Sequence, residues 1–190
     1  MPHPTIMSTD DTALLVIDVQ DKLLALFPDS AALVRDIAFL VDAARLLQIP
    51  VTATEQYPKG LGPSTAELAE RVPERPDKTA FSCCAIPAVV EGFRRAARPK
   101  VLLAGIEAHV CVLLTALDLI DLGFRVYIAA DAVASRFPGD RDIALRRMEQ
   151  AGAIVTTVEA AVFEWLASSQ HPRFKAISQL VQSRMQALRV

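Results

Sequence analysis

Three polar side chains stand where apolar runs give way to turns. Asp18 closes the run ALLVIDV at residues 13–19, Lys78 opens KTAFS at residues 78–82, and Cys111 opens a helical stretch shortly after KVLLAG at residues 100–105. A carboxylate, an ammonium and a thiol brought together form a nucleophilic set. The carboxylate accepts the thiol proton, the sulfur attacks an electrophilic carbon, and the proton returns to the leaving group. An ordinary thiol has a pKa of about 8.5, so only about 3% is anionic at neutral pH. A helix N-terminus and a nearby ammonium both favour the anion, which predicts an activated Cys111. Each residue also has a plainer use: a cysteine packs as a small hydrophobe, and an aspartate at a strand end caps a loop.

Two further thiols compete with Cys111. Cys83 and Cys84 follow an extended segment and do not open a helix, so core packing or incidental oxidation is the expected account of them. His109 precedes Cys111 by two residues, and side chains at that spacing point apart on a helix. It is therefore expected to line a pocket or meet a neighbouring subunit, not to act as the cysteine's base. Three cysteines are too few and too unevenly spaced for a disulfide framework, and no Cys/His cluster suggests zinc.

The elements that must position these residues follow from periodicity. Residues 13–19, 51–54, 78–82, 100–105, 124–130 and 153–158 are short apolar or β-branched runs that read as strands or extended segments. Between them, helical spacing predicts helices over 30–47, with Asp29 or Ser30 as cap, over 64–71, opened by a Ser64-x-x-Glu67 capping box, and over 87–97. Further helices are expected at about 110–122 and over 140–151, each closed by glycine, with mostly helical chain from Glu159 onward. The segment from about 173 to 188 carries Phe174, Ile177, Leu180, Val181 and Met185 as a stripe that either closes the core or meets another subunit. Strand and helix alternate about five times. That is the pattern of an α/β, three-layer fold with a mostly parallel sheet of about six strands, in which ligands bind beyond the carboxyl ends of the strands.

The chain of 190 residues is expected to form a single domain over 1–190. Its 20 basic and 22 acidic residues give a net charge of −2, which offers no excess positive field for a run of phosphates. Nucleic acid is therefore not the expected partner. No apolar run is long enough to cross a bilayer and no leader-like N-terminal segment is evident, so no membrane association and a cytoplasmic location are expected. The first strand is followed by VQDK where a dinucleotide site would need glycines, and no Walker loop occurs, so no cofactor is expected.

The motifs DVQ at 18–20, K-x-x-F-S at 78–82 and G-I-x-A-H-x-C-V at 105–112 together resemble the signatures of the isochorismatase-like cysteine hydrolases, with similarity running from about Ala13 to Ser135 and including Asp131-Ala132. The resemblance implies a Rossmann-like sheet and a homo-oligomer. It also implies Asp18 as general base, Lys78 as electrostatic partner and Cys111 as nucleophile. A cis peptide is implied before the small residue of the third motif, here Glu107–Ala108, aiming the backbone amides of Ala108 and Cys111 into an oxyanion hole. The nicotinamidase branch carries an Asp-x-His metal motif after the second strand. Here that stretch is Thr54-Glu55-Gln56-Tyr57-Pro58-Lys59 without histidine, so no catalytic metal is expected. True isochorismate hydrolases typically lack the cysteine, and its retention argues for acyl transfer.

The expected function is hydrolysis of a C–N bond in a small amide through a thioester on Cys111. The loop at 55–63 is similar to that of isochorismatase domain-containing proteins. Gln20, Phe27, Tyr57, Phe81 and His109 are the candidate contacts to a small-molecule substrate, although aromatics near strand ends also serve as plain core. Two alternatives stay open: a non-catalytic interaction or scaffold protein on the same fold, and an isochorismate-type vinyl ether hydrolase needing no covalent step.

Overall fold

The structure, a computed structural model, describes residues 3–187. Six strands form one all-parallel sheet: β1 (Thr12–Ile17), β2 (Val51–Gln56), β3 (Asp77–Lys78), β4 (Lys100–Ile106), β5 (Arg125–Ala134) and β6 (Ile154–Thr156), in the order β3-β2-β1-β4-β5-β6. Because β1 is followed by β2 on one side and β4 is added on the other, the strand order reverses at β1/β4. The carboxyl ends of those strands are where such sheets open a crevice.

The sheet is buried on both faces, which explains its apolar runs. Successive β1 residues alternate between the two cores: Leu14 and Val16 face one, Ala13, Leu15 and Ile17 the other. The first core is closed by α2 (Ser30–Leu46), α8 (Val158–Leu166) and α9 (Phe174–Ala187), and the second by α5 (Pro87–Arg95), α6 (Leu113–Asp121) and α7 (Pro138–Gln150). Short helices α1 (Asp21–Leu24), α3 (Pro58–Leu61) and α4 (Ala66–Arg71) build the loops over the carboxyl ends of β1 and β2. Gly105 marks the closest approach of β4 to β1. It has φ +121°, and a Cβ there would lie 2.1 Å from the Ile17 carbonyl oxygen.

Several local expectations are corrected. The 64–71 capping box is absent: α4 starts at Ala66 after Thr65, and the Ser64 amide instead donates to Glu55 Oε1 at 2.8 Å. Neither Asp29 nor Ser30 caps α2 by a side-chain bond, Asp29 occupying the cap position through its backbone alone. The 78–82 run contributes only β3, and the chain then turns into a short 3₁₀ helix, Cys83–Ala85. The helix expected from about residue 110 begins with a π turn, Ala108–Val112, before α6. The C-terminal stripe closes the first core: Ile177 is fully buried, with Phe174, Leu180 and Val181 packed against the same cluster. Leu188, the expected end of that helix, lies outside the described residues.

Arg184 pins α9 in place. Its guanidinium meets Asp36 at 2.8 Å and Asp131 and Glu159 at 3.3 Å, and covers the Phe39 ring at 5.3 Å. Burial raises the Asp131 carboxyl above its ordinary pKa.

Candidate active site

Asp18 follows β1 with a left-handed backbone, φ 55°, a conformation that aspartate tolerates better than most side chains. Its amide donates to the Thr54 carbonyl at 3.2 Å, fixing it against β2. The parallel register pairs Ile17 with Thr54. That pairing places the Thr54 hydroxyl beside the next carboxylate, and Thr54 Oγ1 donates to Asp18 Oδ1 at 2.8 Å.

The register of β2 with β3 pairs Gln56 with Lys78 in turn. Lys78 Nζ donates to Asp18 Oδ2 at 2.6 Å, to Gln56 Oε1 at 2.6 Å and to the Phe81 carbonyl at 2.9 Å. An ammonium has three protons, so each has an acceptor. The ion pair is sealed, the side chains being 1% exposed for Lys78 and 0% for Asp18. Charges buried this deeply persist only when paired and hydrogen-bonded, and this set of donors and acceptors is complete.

Cys111 lies in the π turn after β4 and is buried, with Sγ 4.0 Å from Gln56 Oε1, the oxygen that also accepts from Lys78, and it feels the charge of Asp18. The sequence therefore brings Asp18, Lys78 and Cys111 to one point. The surroundings of Cys111 work against the expected activation. Burial first, and the Asp18 charge second, push the Cys111 thiol up to about 12, against a smaller opposing pull from Lys78. The ammonium already faces a carboxylate, so little of its field is left for sulfur.

The expected cis peptide at Glu107–Ala108 is also corrected: the cis bond is Ile106–Glu107, one residue earlier. Ala108 is buried at the start of the π turn, and the Val110 and Val112 amides both donate to the Glu107 carbonyl, at 3.0 and 3.2 Å. Glu107 itself accepts from the Arg136 backbone amide and side chain at 3.0 and 3.1 Å, tying this turn to the end of β5.

The remaining sequence candidates spread outward. Gln20 is fully buried, and its amide group links Gln56 and Gly62, donating to the Gln56 carbonyl at 3.0 Å and accepting from the Gln56 amide at 2.7 Å. It shapes the loop that carries Gln56. Phe27 is buried in the first core. Tyr57 and Phe81 are about half exposed, at 52% and 54%, on the loops beside Gln56 and Lys78. His109 turns toward the far side of β4, with Nδ1 2.9 Å from Ser135 Oγ and Nε2 3.8 Å from Asp140.

Two residues of the site, Thr54 and Gln56, were not singled out from sequence, and a third, Cys83, was set aside as a competing thiol. Thr54 and Gln56 are two apart on β2 and so share a face, and the placement of β2 beside β1 brings that face to Asp18. Cys83, expected merely to pack, does so beside the site. Its Sγ is 3.5 Å from Thr54 Oγ1, its amide donates to Thr115 Oγ1 at 2.9 Å, and burial followed by the Asp18 charge raises its thiol pKa. Cys84 is raised to about 11, chiefly by burial.

Among the described residues, no group of three or more His, Cys, Asp or Glu side chains is arranged to hold a metal ion, and no helix is long and apolar enough to cross a membrane. Surface grooves of about 380 and 440 Å³ lie at the opposite, amino ends of β4 and β5, around Phe93, Phe124, Lys100 and Arg125, away from Asp18 and Cys111.

The chain as a whole resembles known proteins. The isochorismatase domain profile matches residues 12–160. Human isochorismatase domain-containing protein 2 is 40% identical over 176 residues, covering 90% of this chain and 82% of that protein. Among solved structures, the MAR1 ribonuclease of Caenorhabditis elegans superposes with a TM-score of 0.87 at 42% identity, covering 93% of this chain and 92% of that one. The YcaC gene product of Escherichia coli, described as an octameric hydrolase of unknown specificity, superposes with a TM-score of 0.90 at 24% identity, covering 100% and 95%.

Proposed function

The chain belongs to the isochorismatase domain family, and from that premise we propose that it is a metal-independent cysteine hydrolase cleaving the C–N bond of a small amide. The observation that carries this reading is the sealed Asp18–Lys78 pair, joined through Gln56 Oε1 to the buried Cys111 thiol at 4.0 Å. A carboxylate near a thiol can serve as its base, and a lysine whose donors are all taken by Asp18, Gln56 and the Phe81 carbonyl holds that carboxylate in place without competing for the substrate.

In the proposed cycle the Cys111 S–H proton passes to Asp18 as sulfur bonds to the substrate carbonyl carbon. The carbonyl electrons move onto oxygen, and the backbone amides of Ala108 and Cys111, at the N-terminal turn of the helix, donate hydrogen bonds to that oxyanion. Collapse breaks the C–N bond, and Asp18 returns its proton to the departing nitrogen, leaving a thioester. Water then gives a proton to Asp18 and its oxygen to the acyl carbon. The C–S bond breaks, the proton returns to sulfur, and a carboxylic acid leaves. The thiol's high pKa suits this concerted route, since no free thiolate need accumulate.

A second reading is cleavage of RNA, favoured by the 42% identity to a protein described as a ribonuclease. The net charge of −2 and the burial of Lys78 favour a small neutral substrate over a polyanion. Association into a homo-oligomer belongs to the same proposal: Phe137 and Phe81 stand 65% and 54% exposed near the strand ends, and light scattering measures the mass.

The test is ammonia release from a panel of small aliphatic and aromatic primary amides, run beside single-stranded RNA as an alternative substrate. The expected result is amide turnover that falls at least about 10³-fold in Cys111→Ala and in Asp18→Asn. Turnover retained in Cys111→Ala points to ether-type chemistry without a covalent step. RNA cleavage in the absence of amide turnover overturns the amidase reading, and inactivity of the folded protein on every substrate favours the scaffold alternative.

A further inference from the structure

Gln56 is fixed in an unusual position for a glutamine, between the ammonium and the nucleophilic sulfur. Its orientation is determined by chemistry. Lys78 Nζ can only donate, so the atom 2.6 Å from it is Oε1, and the other end of the amide, Nε2, donates to the Thr79 carbonyl at 2.9 Å. The backbone of Gln56 is held as well, its amide donating to Gln20 Oε1 at 2.7 Å. An amide oxygen has two lone pairs. One accepts from Lys78, and the same oxygen lies 4.0 Å from Cys111 Sγ.

Sulfur bonded to an attacked acyl carbon stands roughly 2.7–3 Å from the leaving atom on that carbon, so a leaving atom on the Gln56 side of Sγ can come within an ordinary hydrogen bond of an acceptor 4.0 Å from the sulfur. We infer that Gln56 Oε1 reads the leaving group, accepting a hydrogen bond from an N–H on the atom bonded to the acyl carbon, and so selects amides over esters and ethers. The inference rests on the proposal that Cys111 is the nucleophile. A leaving nitrogen carries a hydrogen for Gln56 in addition to the proton it receives from Asp18, whereas an alkoxy oxygen carries none until it is protonated. Against an ester, the Gln56 oxygen and the leaving oxygen face one another as two acceptors, an arrangement that costs binding. Gln56 is thus a specificity-determining residue, and Gln20 positions it.

The reverse of the cleavage step tests this without the natural substrate. Wild type, Gln56→Met and Gln56→Glu are acetylated with p-nitrophenyl acetate, acetyl-Cys111 is located by peptide mass spectrometry, and the acyl-enzyme is partitioned between methylamine and methanol. Relative to S-acetylglutathione in solution, wild type should favour N-methylacetamide over methyl acetate by about tenfold, the value of one neutral hydrogen bond. Gln56→Met should bring the ratio to that of the glutathione thioester, while Gln56→Glu, which keeps an acceptor, should retain the preference. If Gln56→Met does not fold, the wild-type comparison still decides. A wild-type ratio equal to that of the free thioester overturns the inference while leaving Cys111 as nucleophile. Failure of Cys111 to acquire the acetyl group at all overturns the nucleophile proposal itself.

Discussion

Replacing Asp18 by asparagine should do two opposite things: abolish turnover and make Cys111 more reactive toward a simple alkylating agent. The thiol is pushed up to about 12, with Asp18 the largest charged contributor. A unit charge at a generic contact distance of about 4 Å, at an effective dielectric of about 20, contributes about 4 kcal/mol, or about three pKa units. Removing it leaves Lys78 unneutralised and brings the thiol toward about 9, which raises the thiolate fraction at pH 8 about 10³-fold. Intrinsic nucleophilicity falls with basicity, with a slope of about 0.4–0.5, so the net gain in alkylation rate is about 30- to 50-fold. The assay is iodoacetamide labelling from pH 6 to 10, resolved by mass spectrometry at Cys83, Cys84 and Cys111, with circular dichroism confirming the fold. In wild type the Cys111 rate should climb through pH 10 without a plateau. A wild-type plateau near pH 8, or an Asp18→Asn protein that labels no faster, would show that Lys78 and the helix terminus govern the thiol and would refute the reasoning.

Other expected outcomes concern the fold around the site. Lys78→Met leaves Asp18 charged and unpaired in the interior and should cost about 3–5 kcal/mol in urea denaturation, with much of that loss recovered in the Asp18→Asn/Lys78→Met double variant; equal losses in both would refute the pairing argument. Gly105→Ala drives a Cβ against the Ile17 carbonyl at a positive φ, and should lower stability by at least about 3 kcal/mol or prevent soluble expression. Arg184→Met should release α9, seen as faster hydrogen exchange over Phe174–Ala187 and a loss of about 2 kcal/mol. Burial tends to raise the Glu55 carboxyl, but Arg75 at 2.9 Å and the Ser64 amide at 2.8 Å outweigh it and hold it below its ordinary 4.5. A depressed carboxylate stabilises above its unfolded pKa, and that stability is lost as pH falls through the folded value. Glu55→Gln should therefore lower the urea midpoint at pH 7, with the difference from wild type shrinking as the pH falls below 4.5.

The sheet was legible because its strands are buried on both faces: runs such as Ala13–Ile17 and Val101–Ala104 can satisfy that environment in few other ways. The same reasoning placed Asp18, Lys78 and Cys111 where apolar runs give way to turns, and the motif resemblance added their roles. What sequence could not supply was partnership across strands. Thr54 and Gln56 become site residues only when β2 lies beside β1 and β3 in the observed register. Cys83 looked like core and is core, yet its neighbour is Thr54 of the site. The thiolate expectation failed for the same reason, since spacing does not reveal that all three Lys78 protons already have acceptors. The capping box at Ser64 failed because Glu55, nine residues back, accepts from the Ser64 amide. Local signals lost wherever a distant strand end offered a better partner.

Acid-quenched intact-mass analysis of the enzyme during turnover of a small amide tests the central claim most directly. The account predicts a mass increase equal to the acyl group, mapped to Cys111, labile to hydroxylamine as thioesters are, and absent in Cys111→Ala. Steady hydrolysis with no adduct on Cys111, continuing in Cys111→Ala, would contradict it.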